Sequence, residues 1–197
     1  MTDQAEKVMS TFRLLPSLSE CHHLSSNSFD SRRLMRWQGG GSEADRPTRW
    51  RAEWMGEGHW PKSEFPSGYP GAPVLSRRLA ESFGDDLAAA GRLVPVDIEG
   101  AKDDEYFLYL VERVVDCLDT RRSSKPKRSG EIKKAVFLPE RLPVDLPAFR
   151  LPQFPRAVQW NGWAADRLIE LTGDQIEARL LWSEDPTAVP HADPWGI

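Results

Sequence analysis

The chain has 197 residues, of which 40% are hydrophobic and 28% charged, and its formal net charge is −4. This composition is typical of one folded domain and does not by itself reveal a function. The sequence has no run of the ~18–20 apolar residues that span a membrane, and its first residues, 1–6, are too polar for a signal peptide. We therefore expect a cytoplasmic protein that does not bind a membrane. Its two cysteines, Cys21 and Cys117, cannot supply a disulfide framework or a four-cysteine zinc site.

The first 72 residues have weak hydrophobic periodicity and many residues that interrupt regular structure. They include the flexible run Gly39-Gly40-Gly41-Ser42 and several prolines. They also contain four tryptophans, which segments too polar to fold rarely carry. We predict that residues 1–72 pack on the main domain as an irregular Trp-, Pro- and Gly-rich segment, either as short strands or as an irregular cover.

Residues 73–183 are predicted to form an α+β domain. Ser76 is suited to cap a helix whose apolar side chains recur at helical spacing as far as Ala90, and Gly91 is suited to end that helix. Strands are predicted over residues 93–98, 106–117, 135–138 and 148–151. The charged pair Glu112-Arg113 predicts a bulge or a sheet edge within the second of these strands.

The end of the chain has the clearest pattern. A strand over residues 157–160 leads through Asn161, a good helix N-cap, into a helix over residues 162–171 that Gly173 ends. Apolar residues then alternate with Glu177 and Arg179, which predicts a strand with one face in solvent. Residues 184–197 carry three prolines and are predicted to be a loose tail. The whole order predicts an α+β fold, with two main helices packed on a mixed or mostly antiparallel sheet.

No motif in the sequence predicts catalysis or metal binding. Cys21-His22-His23 carries metal-ligating types, but adjacent side chains point in different directions on regular structure. Cys117 could be paired with His59 as a nucleophile and base, yet thiols in densely apolar strands are usually inert packing groups. The chain has no phosphate-binding loop and no hydrolase nucleophile elbow. We therefore predict no catalytic residue, no metal and no cofactor.

Two charged regions and one tryptophan are the candidates for binding a partner. Residues 121–134 carry seven basic residues and one acid, whereas the chain from residue 166 onward carries seven acids and two arginines. The basic region is either a solvated loop or a patch facing an acidic partner. Nucleic acid is not an expected partner, because the net charge is negative and no aromatic residue is interleaved to stack bases. The candidates are Arg121, Arg122, Lys125, Lys127, Arg128, Trp163, Asp166, Glu170, Asp174 and Glu177. The main alternative for Trp163 is a place in the core or at its rim.

A set of short motifs is similar to a known family. The motifs are Pro73-Val74-Leu75-Ser76 opening a helix, Val94-Pro95-Val96, the run from Tyr106 through Val114-Val115-Asp116-Cys117-Leu118-Asp119 to Ser123, Phe149-Arg150, and Leu171-Thr172-Gly173 before a last strand. Together they resemble bacterial immunity proteins that are found beside polymorphic contact-dependent toxins. The similarity covers roughly residues 70–182.

The resemblance implies a small cytosolic protein that binds a cognate toxin and blocks it without chemistry of its own. It does not imply particular functional residues. Two other functions stay open from the sequence: a general interaction or scaffold module of a bacterial system, and an enzyme whose site carries no familiar motif.

Overall fold

The computed structural model describes residues 8–17, 20–100 and 105–196. The described part of the chain is an α+β fold with two sheets and four α-helices. The elements in chain order are β1 (Ser10–Pro16), β2 (His23–Ser26), α1 (Ser28–Gln38), β3 (Trp50–Met55), β4 (Val74–Ser76), α2 (Arg77–Phe83), α3 (Asp85–Ala90), β5 (Gly91–Ile98), β6 (Tyr106–Val111), β7 (Ala148–Leu151), β8 (Phe154–Asn161), α4 (Gly162–Thr172) and β9 (Ile176–Ser183). The predicted fold class is confirmed.

The two sheets differ in strand direction. The four-stranded sheet has the order β7-β8-β1-β9 and is antiparallel throughout. The five-stranded sheet has the order β2-β3-β5-β6-β4 and is mixed, because β3 and β5 run parallel. A bridge between Val114 and Arg150 pairs the segment after β6 with β7, so the backbone joins the two sheets at this point.

The N-terminal segment packs on the rest of the chain and is more regular than an irregular cover. β1 lies between β8 and β9, with Thr11 opposite Asn161 and Leu14 opposite Ala178. β3 joins the five-stranded sheet beside β5, and its Trp50 is fully buried. Each sheet therefore contains strands from residues 1–72 as well as strands from the rest of the chain, so both sheets extend across the predicted boundary at residue 72.

The helix predicted between Ser76 and Gly91 is split in two. The Ser76 hydroxyl caps α2 by accepting the backbone N–H of Leu79 at 3.2 Å. Gly84 then adopts a φ of 52°, a left-handed conformation that ends α2 and that glycine adopts without strain. α3 begins at the next residue, where the acidic Asp85 and Asp86 favour a helix N-terminus.

The helices enclose the five-stranded sheet and cover one face of the four-stranded sheet. Leu34 of α1 packs in one cluster with Trp50 and Val96 of the five-stranded sheet. Leu79, Leu87 and Leu168, one from each of α2, α3 and α4, share a second cluster with strand residues of both sheets, including Leu75 and Trp160. A third cluster on the other face of the four-stranded sheet contains Phe149 of β7 and side chains of the long 112–147 connection.

One predicted strand is shorter than expected, and another does not form. The strand predicted over residues 106–117 ends at Val111, where Glu112 turns to ion pairs with Arg46 and Arg92. The charged pair lies just beyond this strand, which pairs in regular register with β5 on one side and β4 on the other, so the prediction of a bulge or a sheet edge within it is wrong. Residues 135–138 form only a single bridge, between Phe137 and Leu118, so the prediction of a strand there is wrong.

The C-terminal tail is packed and not loose. The backbone N–H of Glu184 donates to Met9 O at 2.9 Å, and that of His191 donates to Leu180 O at 2.8 Å. The indole Nε1 of Trp195 donates to Ile132 O at 3.1 Å. The tail therefore covers the face of β9 that was predicted to meet solvent, and Arg179 on that face is only 8% exposed. The alternation of apolar and polar residues in β9 identifies the polar face of the strand, but it does not show whether solvent or another segment of the chain covers that face.

Candidate functional site

A largely apolar groove lies at the start of α4. Its volume is about 180 Å³, and it is bounded by the start of β1, the 142–144 loop and the first turn of α4. Val8 and Val144 on its rim are 51% and 49% exposed. Its lining residues are Val8, Met9, Ser10, Leu142, Val144, Asn161, Gly162 and Trp163. Single exposed aliphatic side chains are ordinary, but two that flank one groove create an apolar recess open to a ligand or a partner.

The aromatic wall of this groove is held in place. Trp163 is half-buried, its indole Nε1 donates to Val144 O at 3.0 Å, and its ring lies against Phe83 with centroids 6.3 Å apart. The Asn161 side chain does not cap α4 as predicted; its Nδ2 instead donates to Pro143 O at 2.8 Å and Leu146 O at 2.6 Å. Because these hydrogen bonds fix both walls of the groove before binding, little conformational entropy is lost from the walls when a partner fills the groove.

Three of the four acidic candidates lie on or just after α4. Asp166 and Glu170 are exposed, and with Trp163 they occupy positions i, i+3 and i+7, which lie on one helix face. Asp174 is exposed in the turn that follows α4. We call the groove, Trp163 and these acidic residues the α4 surface.

Glu177 does not belong to the α4 surface. Its neighbours Ile176 and Ala178 pack in the cluster that contains α4, so Glu177 points to the opposite face of β9. There its Oε1 accepts a hydrogen bond from Arg179 Nε at 2.6 Å. The expectation that these four acids act as one patch is therefore wrong for Glu177.

The basic candidates sit on a well-formed loop. The Asp119 carboxylate accepts the backbone N–H groups of Arg121 at 3.0 Å and Arg122 at 3.1 Å, which shows that it starts the turn. Lys127 is exposed and pairs with Glu131 at 2.9 Å. All five basic candidates are exposed. Apart from the pair between Lys127 and Glu131, no ion pair of these five residues is found within residues 8–17, 20–100 and 105–196.

The cysteine and histidine residues are dispersed. Cys21 is buried, whereas the ring of His22 lies near that of Trp54 with centroids 6.1 Å apart. Among the residues that the structure describes, no three His, Cys, Asp or Glu side chains are placed to hold a metal ion. Burial raises the pKa of Cys117 to about 12, so this thiol stays protonated at neutral pH.

One charged site was missed from the sequence. Arg13 of β1 and Arg179 of β9 face each other across the two strands, and they are 5% and 8% exposed. Both line a pocket of about 260 Å³ whose other walls include His23 and Glu177. Arg13 lies in the segment that was expected to be irregular. Its place in a strand could have been inferred only from the short apolar run around it.

Comparison with models of known protein families gives no match, and no curated protein matches the chain. The resemblance to immunity proteins therefore rests on the short motifs of the sequence. In the part of the chain that the structure describes, no helix is both long and apolar enough to cross a membrane.

Proposed function

We propose that this chain is a non-catalytic binding protein that neutralises a cognate bacterial toxin by stoichiometric binding through the α4 surface. The observation that carries the proposal is the preformed apolar groove at the head of an acidic helix face. A pre-ordered aromatic wall beside an open apolar recess is the kind of feature on which binding hot spots centre.

The charge of the α4 surface indicates the chemistry of the partner. Asp166 and Glu170 lie one turn apart on the face that continues from Trp163, so the groove has an acidic flank. A basic partner would be steered toward this flank before its apolar side chains enter the groove. Toxins that act on nucleic acids are often basic because their substrate is a polyanion, and they fit this description.

The basic loop is a second candidate surface. Its backbone is tied at several points, such as the 2.9 Å hydrogen bonds from Ser124 N to Lys134 O and from Lys134 N to the Ser124 hydroxyl. An ordered loop of exposed cations suits an acidic partner. Under this alternative the toxin would be acidic, and charge changes on α4 would not affect its binding.

Kinetic binding measurements on two matched double variants test the proposal. The partner is first isolated by co-expressing the chain with the neighbouring gene product and recovering the complex. The double variant D166K/E170K is then compared with E53K/E99K, which makes the same charge change at two exposed positions away from α4, one in β3 and one just after β5. We expect the first to slow association by about tenfold or more at low salt, and the second to change it by about twofold at most.

Each outcome has a definite meaning. Equal slowing by both double variants would mean that only the net charge matters, and an unchanged rate for D166K/E170K would remove the α4 surface from consideration. Val144→Glu tests the groove without touching the core, because Val144 is 49% exposed. We expect about a 30-fold weaker complex with this variant, together with an unchanged melting temperature. Failure to recover any toxin-like partner would contradict the proposed function itself.

A further inference from the structure

The basic loop, residues 121–134, concentrates like charges that are almost unpaired. It carries seven cations, and the side chains of all seven are exposed: Arg121, Arg122, Lys125, Lys127, Arg128, Lys133 and Lys134. In the described part of the chain, Lys127 is the one cation of this set that forms an ion pair, with Glu131 at 2.9 Å. Surfaces that bind no charged partner usually mix both signs, because a run of like charges repels itself.

The backbone of the basic loop is ordered in spite of this repulsion. Its two arms run side by side and are joined by hydrogen bonds, such as the one from Lys127 N to Glu131 O at 2.8 Å. A tight turn closes the tip, where Gly130 N donates to Lys127 O at 2.8 Å. The return arm is anchored by Ile132, which is buried and whose carbonyl accepts the Trp195 indole N–H. Runs of like charge are usually disordered, so an ordered run holds its cations at fixed places on the surface.

The acids around the basic loop balance less than half of its charge within the described residues. Asp119 accepts backbone N–H groups at the first turn. A hydrogen bond from Lys127 to Glu131 and the charge of Glu131, together with the charge of Asp193, raise the pKa of Lys127. Seven cations against these three acids leave an excess of about four positive charges. The net charge of the chain, −4, does not cancel this excess, because at physiological salt exposed charges more than about 8 Å apart are largely screened.

The side chains of the basic loop suit a polyanion better than an acidic protein face or a lipid bilayer. Ile132 is the one large apolar side chain of residues 121–134, and it is buried, so none is exposed to anchor a protein or to enter a membrane. Lysine is depleted from protein–protein interfaces, whereas arginine and lysine commonly contact phosphate groups. Stacking aromatic residues are needed for single strands but not for a duplex, whose phosphates lie on the outside.

We propose that the basic loop binds the phosphate backbone of duplex nucleic acid without reading its sequence. Duplex DNA carries one negative charge per about 1.7 Å of its axis, so several cations of one loop contact phosphates at once and release condensed counterions. An extended acidic peptide carries at most one charge per about 3.3 Å, which is about half that charge density. The proposal goes beyond toxin binding by the α4 surface and does not depend on it.

Fluorescence anisotropy of a short labelled DNA duplex, titrated with the full chain at several salt concentrations, tests the proposal. Each phosphate contact contributes about −0.9 to the slope of log K against log salt, so we expect a slope of about −3 to −4 from about four unbalanced charges. The double variant K125Q/R128Q should bind at least about tenfold more weakly at low salt and flatten the slope by about 1.8. R32Q/K62Q is the matched control, because it removes one arginine and one lysine at exposed positions outside the loop.

Two results of this titration would overturn the proposal. One is the absence of duplex binding by the unaltered chain at low salt, and the other is equal weakening by the two double variants, which would mean that only net charge matters. Because all four altered side chains are exposed, we expect both double variants to keep the melting temperature of the unaltered chain.

Competition with poly-glutamate separates a nucleic acid from an acidic protein as the partner. We expect poly-glutamate to displace the labelled DNA at least about tenfold less well than unlabelled duplex does, because its charge density is lower. Equal displacement would show that the loop accepts any acidic chain, and nucleic acid would then lose its place as the partner.

Discussion

Arg150 joins the two sheets, and its replacement should weaken the whole fold. It is 4% exposed, its Nε donates to Val111 O of β6 at 2.8 Å, and its Nη1 donates to Pro155 O of β8 at 3.0 Å. The guanidinium carbon also lies 4.8 Å from the Trp37 ring centroid. One side chain thus connects the last residue of β6 to the neighbouring sheet.

The expected loss follows from these contacts. Arg150→Met keeps most of the aliphatic stem but leaves two interior carbonyls without this donor, at roughly 1–3 kcal/mol each. Part of the loss is offset because the charge itself is unfavourable there: burial lowers the pKa of Arg150 to about 10. We therefore expect a decrease of about 2–4 kcal/mol in the free energy of unfolding. With a typical urea m-value, this lowers the unfolding midpoint by about 1–2 M.

Urea unfolding followed by tryptophan fluorescence measures this change. Arg128→Met is the control, and its exposed side chain predicts a change within about 0.5 kcal/mol. Arg150→Lys should lose nearly as much as Arg150→Met, because an ammonium group cannot present the planar donors that reach both carbonyls. If Arg150→Met unfolded at the same urea concentration as the control, Arg150 would not be the connection between the sheets.

Three further predictions concern single groups. Cys117, whose pKa burial raises to about 12, should not react with a thiol reagent at pH 8 until urea unfolds the chain; fast labelling of Cys21→Ser would contradict this. Hydrogen bonds from Arg51 hold the pKa of Asp30 in the folded protein below its ordinary 3.8. The contribution of ionised Asp30 to folding stability is therefore complete above pH 3.8, and it is lost as the pH falls through the lower pKa of the folded state. Asp30→Asn should therefore flatten the decline in melting temperature below pH 4, and an unaltered decline would exclude this role. Gly91→Ala should lower the free energy of unfolding, measured in urea, by about 1–3 kcal/mol, because the alanine Cβ would clash with the backbone of Leu110 on the neighbouring strand. Unchanged stability would show that β5 and β6 can move apart enough to accommodate the methyl group.

Patterns within one segment were enough to predict several elements. β7 spans residues 148–151 as predicted, and α4 begins at Gly162 and ends beside Gly173, because capping and periodicity are local properties. The partner of each strand is not local. Nothing in the sequence around β1 indicates that it lies between β8 and β9, whose residues are more than 130 positions away. The broken helix depended on the conformation of one glycine, Gly84, in a sequence whose apolar spacing continues on both sides.

The candidate surfaces were predicted correctly only where their residues lie in one local element. Trp163, Asp166 and Glu170 share one helix, so their common face follows from the helical period. Glu177 was assigned to them by charge and closeness in sequence, but a strand places neighbouring residues on opposite faces. Arg13 was missed because its partner, Arg179, is distant in the sequence and because the tail that buries both was expected to be loose.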